Sequence, residues 1–159
     1  MIDQNKYSGL FITDWRHPPN PPEVAKAYEE QFRSGHFVKA SEMYYLADSI
    51  CKGAFYMTCV MVQGLEGGTP VPHADGKPHS HDFDEVLLFT GTNPDNPHDL
   101  GGEIEFWIED EKHIITQGCM VYIPRGTKHL PLIFRKIGRP IYFITAGNVN
   151  KYESAKMEK

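Results

Sequence analysis

Cysteine is scarce in this chain and forms no pattern: Cys51, Cys59 and Cys119 are an odd number without a Cys-x2-Cys pair. Neither a disulfide framework nor a thiolate zinc site is suggested, and reduced, mostly buried thiols are expected. Basic clusters are missing too. With a net charge of −5 and no Lys/Arg run, the chain lacks the patch that binding to nucleic acid or an anionic membrane would need. No apolar run is long enough to cross a bilayer, and Met1-Ile2-Asp3-Gln4-Asn5-Lys6 lacks the basic start and apolar stretch of an export signal. A soluble, cytoplasmic protein is the expectation. Also absent are a Ser/His/Asp nucleophile elbow, a phosphate-binding loop and a dinucleotide fingerprint.

What remains is a chain of 159 residues, 40% apolar, which suits one domain with a real hydrophobic core. Its chemistry concentrates in His79-Ser80-His81-Asp82-Phe83-Asp84-Glu85. On an extended strand, positions 79, 81 and 85 share a parity, so two imidazoles and a carboxylate project from one face of the pleat. Asp82 and Asp84 have the opposite parity and should face outward. A further histidine, His129, closes Gly118-Cys119-Met120-Val121-Tyr122-Ile123-Pro124-Arg125-Gly126-Thr127-Lys128-His129, a stretch punctuated by Gly and Pro.

These two stretches, His-x-His-x3-Glu-x5-Gly over 79–91 and Gly-x5-Pro-x-Gly-x2-His over 118–129, resemble the two motifs of the cupin superfamily. They depart from the common form at three places: His73 stands where a glycine usually opens the first motif, the Glu85 to Gly91 spacing is one residue short, and Ile133 replaces a closing Asn. The four ligand-type positions are untouched. The resemblance covers roughly residues 53–146 and implies an all-β, mainly antiparallel jelly-roll barrel. It also implies a divalent transition metal at His79, His81, Glu85 and His129, and no single activity, because the scaffold hosts dioxygenases, isomerases, lyases and binding proteins.

The donor set narrows the metal. Imidazole nitrogen and carboxylate oxygen suit Fe, Mn, Ni or Zn, yet four such ligands would fill a tetrahedral zinc shell and leave no place for substrate. An octahedral ion keeps two positions open, so Fe, Mn or Ni is expected before Zn. Should Glu85 leave the metal, zinc returns to contention and Glu85 becomes the candidate catalytic base. The leading expectation is a metal-dependent enzyme, a dioxygenase or an isomerase/lyase, acting on a small polar or anionic molecule. The alternatives are a non-catalytic cupin that binds a ligand or stores metal, and a metal-free scaffold of the epimerase sort.

Around this centre the chain divides into an N-terminal arm and helix (1–52), a barrel (53–147) and a polar tail (148–159), together a single domain. Pro18, Pro19, Pro21 and Pro22 forbid regular structure before a helix that begins near Asn20, runs over 23–33 and stops at Gly35. Val24, Ala27, Tyr28 and Phe32 form its apolar stripe, read as packing. Strands are expected at 54–63, 79–89, 103–108, 113–116, 119–123, 129–135 and 140–145. The turn-rich stretch 92–102 reads as a lid or rim loop. Arg125, Glu105 and Trp107 are the candidate substrate-binding residues. Tyr122, Phe134 and Phe143 read as barrel packing, and His17, His36 and His113 as structural or solvated; His73 and His98 are intermediate, in loops within reach of the barrel mouth whose histidines are more often solvated. An aromatic arm of Tyr7, Phe11 and Trp15, together with the habit of cupins of pairing through sheet edges, leads to the expectation of a homodimer.

Overall fold

The computed structural model describes residues 7–13 and 17–152; Trp15 of the aromatic arm and residues 153–159 of the expected tail lie outside the described residues. A short 3-10 turn, Ser8–Leu10, precedes helix α1, Pro22–Ser34. Nine strands follow: β1 Phe37–Leu46, β2 Tyr56–Glu66, β3 Val71–Pro72, β4 Glu85–Gly91, β5 Asp99–Ile108, β6 Glu111–Gln117, β7 Cys119–Ile123, β8 His129–Ile137 and β9 Ile141–Gly147. They form two antiparallel sheets, one in the order β1-β2-β9-β4-β7 and the other β3-β8-β5-β6. The fold is the all-β, antiparallel jelly roll that the two motifs imply. No helix among the described residues is long and apolar enough to cross a membrane.

The core lies between the sheets, where every second side chain of β4 and β9 turns inward. Leu87 and Phe89 of β4 meet Phe143 and Ile141 of β9, and Ile104 and Phe106 of β5 meet Leu132 and Phe134 of β8. Phe89 and Phe143 stack at 5.0 Å with their planes 3° apart. Tyr122, by contrast, is exposed on edge strand β7 beside Met120, because its parity in the strand turns it away from buried Ile123.

Strand β1 runs through the stretch assigned from sequence to the arm and helix, and its pairing with β2 makes it an edge of the larger sheet. Its polar middle, Lys39 to Glu42, hides it from an apolar-run search. Helix α1 has Pro22 at its first position, Pro21 rather than Asn20 as N-cap, and Gly35 at φ 75° in the left-handed cap conformation. None of its residues is fully buried. It is pinned instead by Gln31, whose Nε2 donates to the carbonyls of Pro72 at 3.0 Å and Ala74 at 2.8 Å.

The 92–102 stretch is not a lid. Asp99 onwards is already β5, and residues 92–98 are tied down by Thr92 Oγ1 donating to Pro140 O at 2.9 Å and Asn93 Nδ2 donating to Asp99 at 3.0 Å. Gly91, the last residue of the first motif, ends β4 beside this connection. A Cβ there would come within 2.1 Å of Asp99 O, so close backbone approach is what demands the glycine. Gly91→Ala is expected to cost roughly 2–3 kcal/mol through overpacking, read as a lowered midpoint in urea denaturation with an unchanged slope.

Candidate metal centre

The site rests on backbone bonds between the two motif stretches. His79 N donates to His129 O at 3.0 Å and His129 N donates to His79 O at 2.9 Å, an isolated antiparallel bridge that sets the two residues side by side. Gly126 N then donates to His81 O at 2.7 Å, and Arg125 N to Asp84 Oδ1 at 3.0 Å. The 79–84 stretch makes no ladder beyond that bridge, although a continuous strand was expected from its sequence. Its alternation survives without one: His81, Phe83, Glu85, Leu87 and Phe89 are buried, and the residues between them are not. Phe83 drives this by stacking on His81 at 4.5 Å and 21°, turning both rings inward.

His79, His81 and His129 bring their ligand atoms within 4.8 Å of one another. Glu85 Oε2 approaches His129 Nε2 to 3.2 Å and His81 Nε2 to 3.6 Å. Three of these residues are almost wholly out of water, at 7% exposure for His81, 4% for Glu85 and 2% for His129. His129 Nδ1 lies 3.0 Å from Thr127 O, and since a carbonyl only accepts, Nδ1 donates to it and Nε2 is the nitrogen turned to Glu85. Nε2 faces a carboxylate oxygen, an arrangement that either a shared proton or a metal ion satisfies. His129 Nε2 and both ring nitrogens of His81 are buried without a hydrogen-bond partner. A buried polar atom left so costs about 1–3 kcal/mol, which coordination would offset. The three imidazoles can hold a metal ion.

Burial, reinforced by the neighbouring imidazoles, lowers the His79 pKa from 6.5 to about 4 and that of His81 to about 3, so both rings stay neutral and ready to ligate at physiological pH.

The paired sheets, the inward alternation and the bridge between the motifs make the double-sheet jelly roll that the resemblance to cupins implies. No family model matches the chain, and no curated protein matches it. Among solved structures it is similar to KdgF from Halomonas sp., at 14% identity over 73% of this chain and 81% of that one, with a TM-score of 0.42. It is similar also to a sugar phosphate isomerase from a cupin superfamily of Silicibacter pomeroyi, at 16% identity over 82% and 66% of the two chains, with a TM-score of 0.48. A third is a putative ethanolamine utilization protein Q from Salmonella typhimurium, at 13% identity over 79% and 76%, with a TM-score of 0.42.

The jelly roll holds a cavity of about 640 Å³ lined by His79, Glu85 and His129 among others. On its wall a row of hydroxyls runs from Tyr56 Oη to Thr145 Oγ1 at 2.7 Å and on to Thr58 Oγ1 at 2.8 Å. Residues 17–21 and the first turns of α1 also line it, so the proline-rich segment covers this cavity where a lid was expected from 92–102. The three candidate substrate-binding residues lie elsewhere, none of them lining the cavity. Arg125 is exposed and pairs with Asp84 at 3.4 Å. Glu105 accepts from Trp107 Nε1 at 2.8 Å and from Arg135 Nη1 at 2.7 Å, an arrangement on the strand face opposite Ile104 and Phe106.

Sequence reasoning missed Tyr28, His17 and Tyr152, all of which line the cavity, as does His73 from its loop. Tyr152 lies 5.3 Å from the His81 ring and 4.8 Å from Tyr56, and nothing local marks a lone tyrosine in a polar tail. His36, His98 and His113 are exposed, in keeping with solvated residues.

Asp84 holds the turn rather than a ligand: it accepts from Arg125 N and Nε and from Asn148 Nδ2. Asp84→Ala should therefore loosen the His81 and His129 approach and weaken metal binding roughly tenfold without unfolding the chain, measured by competition with a chromophoric chelator. A second expectation concerns acid. His73 is set edge-on to Phe143 at 5.4 Å, and burial lowers its pKa from 6.5 to about 4. The unfolded chain therefore takes up a proton near pH 6.5 that the folded chain refuses until about pH 4, so stability is full above 6.5 and lost as pH falls through that window. Urea titrations of metal-free protein at pH 7 and 4.5 should differ by on the order of 2 kcal/mol less in His73→Phe than in the wild type.

Proposed function

We propose that this cupin is a metal-dependent enzyme acting on a small polar molecule held in the cavity. The observation that carries the reading is the convergence of unpartnered, buried imidazole nitrogens and the Glu85 carboxylate at the cavity wall. His79, His81, His129 and Glu85 would hold one divalent transition metal, with Fe, Mn or Ni ahead of Zn because three imidazoles and a carboxylate leave open positions only at an octahedral ion. When bound, the metal supplies Lewis-acid polarisation of a chelated substrate or, as iron, activation of dioxygen.

The residues of the chain divide the remaining work. The hydroxyls of Tyr56, Thr145 and Thr58 orient polar groups of the substrate. Tyr152, beside His81, holds its proton firmly because burial and the Glu85 charge raise its pKa, which fits it to donate a hydrogen bond rather than accept one. Glu85 is the group able to move a proton if it leaves the metal. Residues 17–21 restrict water at the cavity. A homodimer is part of this reading, supported by the unpaired β7 edge with exposed Met120 and Tyr122. So is a cytoplasmic setting, supported by three free thiols.

Elemental analysis of natively purified protein should find one transition metal per chain, with occupancy abolished in His81→Ala. Anaerobic reconstitution with iron followed by an oxygen-uptake screen over oxidisable acids and thiols separates the oxygenase branch from the isomerase/lyase branch. Retention of metal and ligand with no turnover in either format would make the protein a binding cupin.

A further inference from the structure

The cavity wall contributed by β1, α1 and residues 17–21 has a chemistry that the metal-binding residues do not use. Among the described residues lining the cavity, Lys151 is the one Lys or Arg, against Glu23, Glu42, Asp75 and Glu85. Two of these carboxylates are accounted for: Glu85 faces the imidazoles, and Asp75 is met by Lys77 Nζ at 3.3 Å. Glu23 is exposed, which leaves Glu42 as the carboxylate bearing on the interior. Its side chain is 31% exposed and makes an ion-pair contact with His17 Nε2 at 3.7 Å, longer than a hydrogen bond.

Glu42 faces inward because of an irregularity in β1. The register against β2 shifts between Glu42 and Tyr44, and the extra residue lets Glu42 and Tyr45, three apart, both line the cavity. Tyr44 is turned out, at 48% exposure. The Glu42 charge is felt within: after burial, it is the largest cause pushing the Tyr28 phenol up to about 12.

Aromatic rings connect this carboxylate to the metal-binding residues. From His81 the chain of contacts passes to Tyr152 at 5.3 Å, to Tyr56 at 4.8 Å, to Tyr45 at 6.2 Å and to His17 at 4.8 Å. A carboxylate that lines one cavity together with Tyr28, Tyr45 and Tyr56 is an environment that attracts an alkylammonium group, by charge and by the ring quadrupoles together. It repels an anion. The inner end differs, since three neutral imidazoles and one carboxylate around a divalent ion carry a net positive charge and favour an oxygen donor.

We infer that the cavity selects a dipolar small molecule, with an oxygen donor for the metal at one end and an ammonium-type cation for Glu42, Tyr45 and Tyr28 at the other. This names the substrate class of the site proposed above and rests on that reading for its inner half only. Arg125, the residue that would have argued for an anionic substrate, does not line the cavity.

The test compares choline with its neutral carbon isostere, 3,3-dimethylbutan-1-ol, by calorimetric titration of the metal-loaded protein and of the chelator-stripped protein. Choline is expected to bind at least tenfold more tightly than the isostere in both forms, and Glu42→Gln should erase the preference while leaving metal stoichiometry at the wild-type value. Asp75→Asn, matched by Lys77 outside the cavity, should keep it. Equal binding of the two probes, binding of neither, or a preference that survives in Glu42→Gln overturns the inference. A wild-type protein that retains no metal overturns the metal reading alone, because the stripped-protein titration still decides the cation subsite.

Discussion

Two reciprocal hydrogen bonds between His79 and His129 are the constraint on which the site depends. They join stretches fifty residues apart at their backbones, so the positions of both imidazoles are fixed before any side chain is considered. The bonds from Gly126 and Arg125 to His81 and Asp84 extend the same clasp by a further turn. Side-chain packing then aims the rings, with Phe83 against His81 and the Thr127 carbonyl holding the His129 tautomer. A site built this way is preorganised: folding has already ordered the ligands that a metal would need.

The same clasp explains why the centre was legible in the sequence when its surroundings were not. Metal-type residues at fixed short spacings declare themselves, because His79, His81 and Glu85 need only local alternation to share a face. That alternation holds in burial although the stretch forms no ladder beyond one bridge. The strands of the barrel were also readable, since Leu87, Phe89, Ile104, Phe106 and Phe143 mark buried faces by periodicity alone. The cavity wall was not. Glu42 and Tyr45 reach it through a register shift, His17 through a proline-rich crossing, Tyr28 from a helix whose stripe resembles ordinary packing, and Tyr152 from a polar tail. Each depends on tertiary placement that no local pattern encodes. Arg125, Glu105 and Trp107 drew attention by proximity to the motifs, and the fold spends them on Asp84 and Arg135 instead.

Burial gives the interior a consistent electrostatic character. It favours neutral His73, His79 and His81, and it keeps the phenols of Tyr28, Tyr56 and Tyr152 protonated. The cavity therefore offers neutral donors and acceptors next to a few carboxylates. Polarity without strong positive charge of its own is what makes a bound cation, whether metal or organic, the natural complement.

The division of labour between strands has a bearing on how such a molecule can change. Glu85 and His129 belong to β4 and β8, inside their sheets, whereas Glu42 and Tyr45 belong to β1, at a sheet margin, and Tyr28 to a helix with no fully buried residue. Substitutions or single-residue insertions on that margin can reshape ligand preference while the ion-holding half is left intact. Inheritance can thus keep the histidine cluster constant while the opposite cavity wall varies.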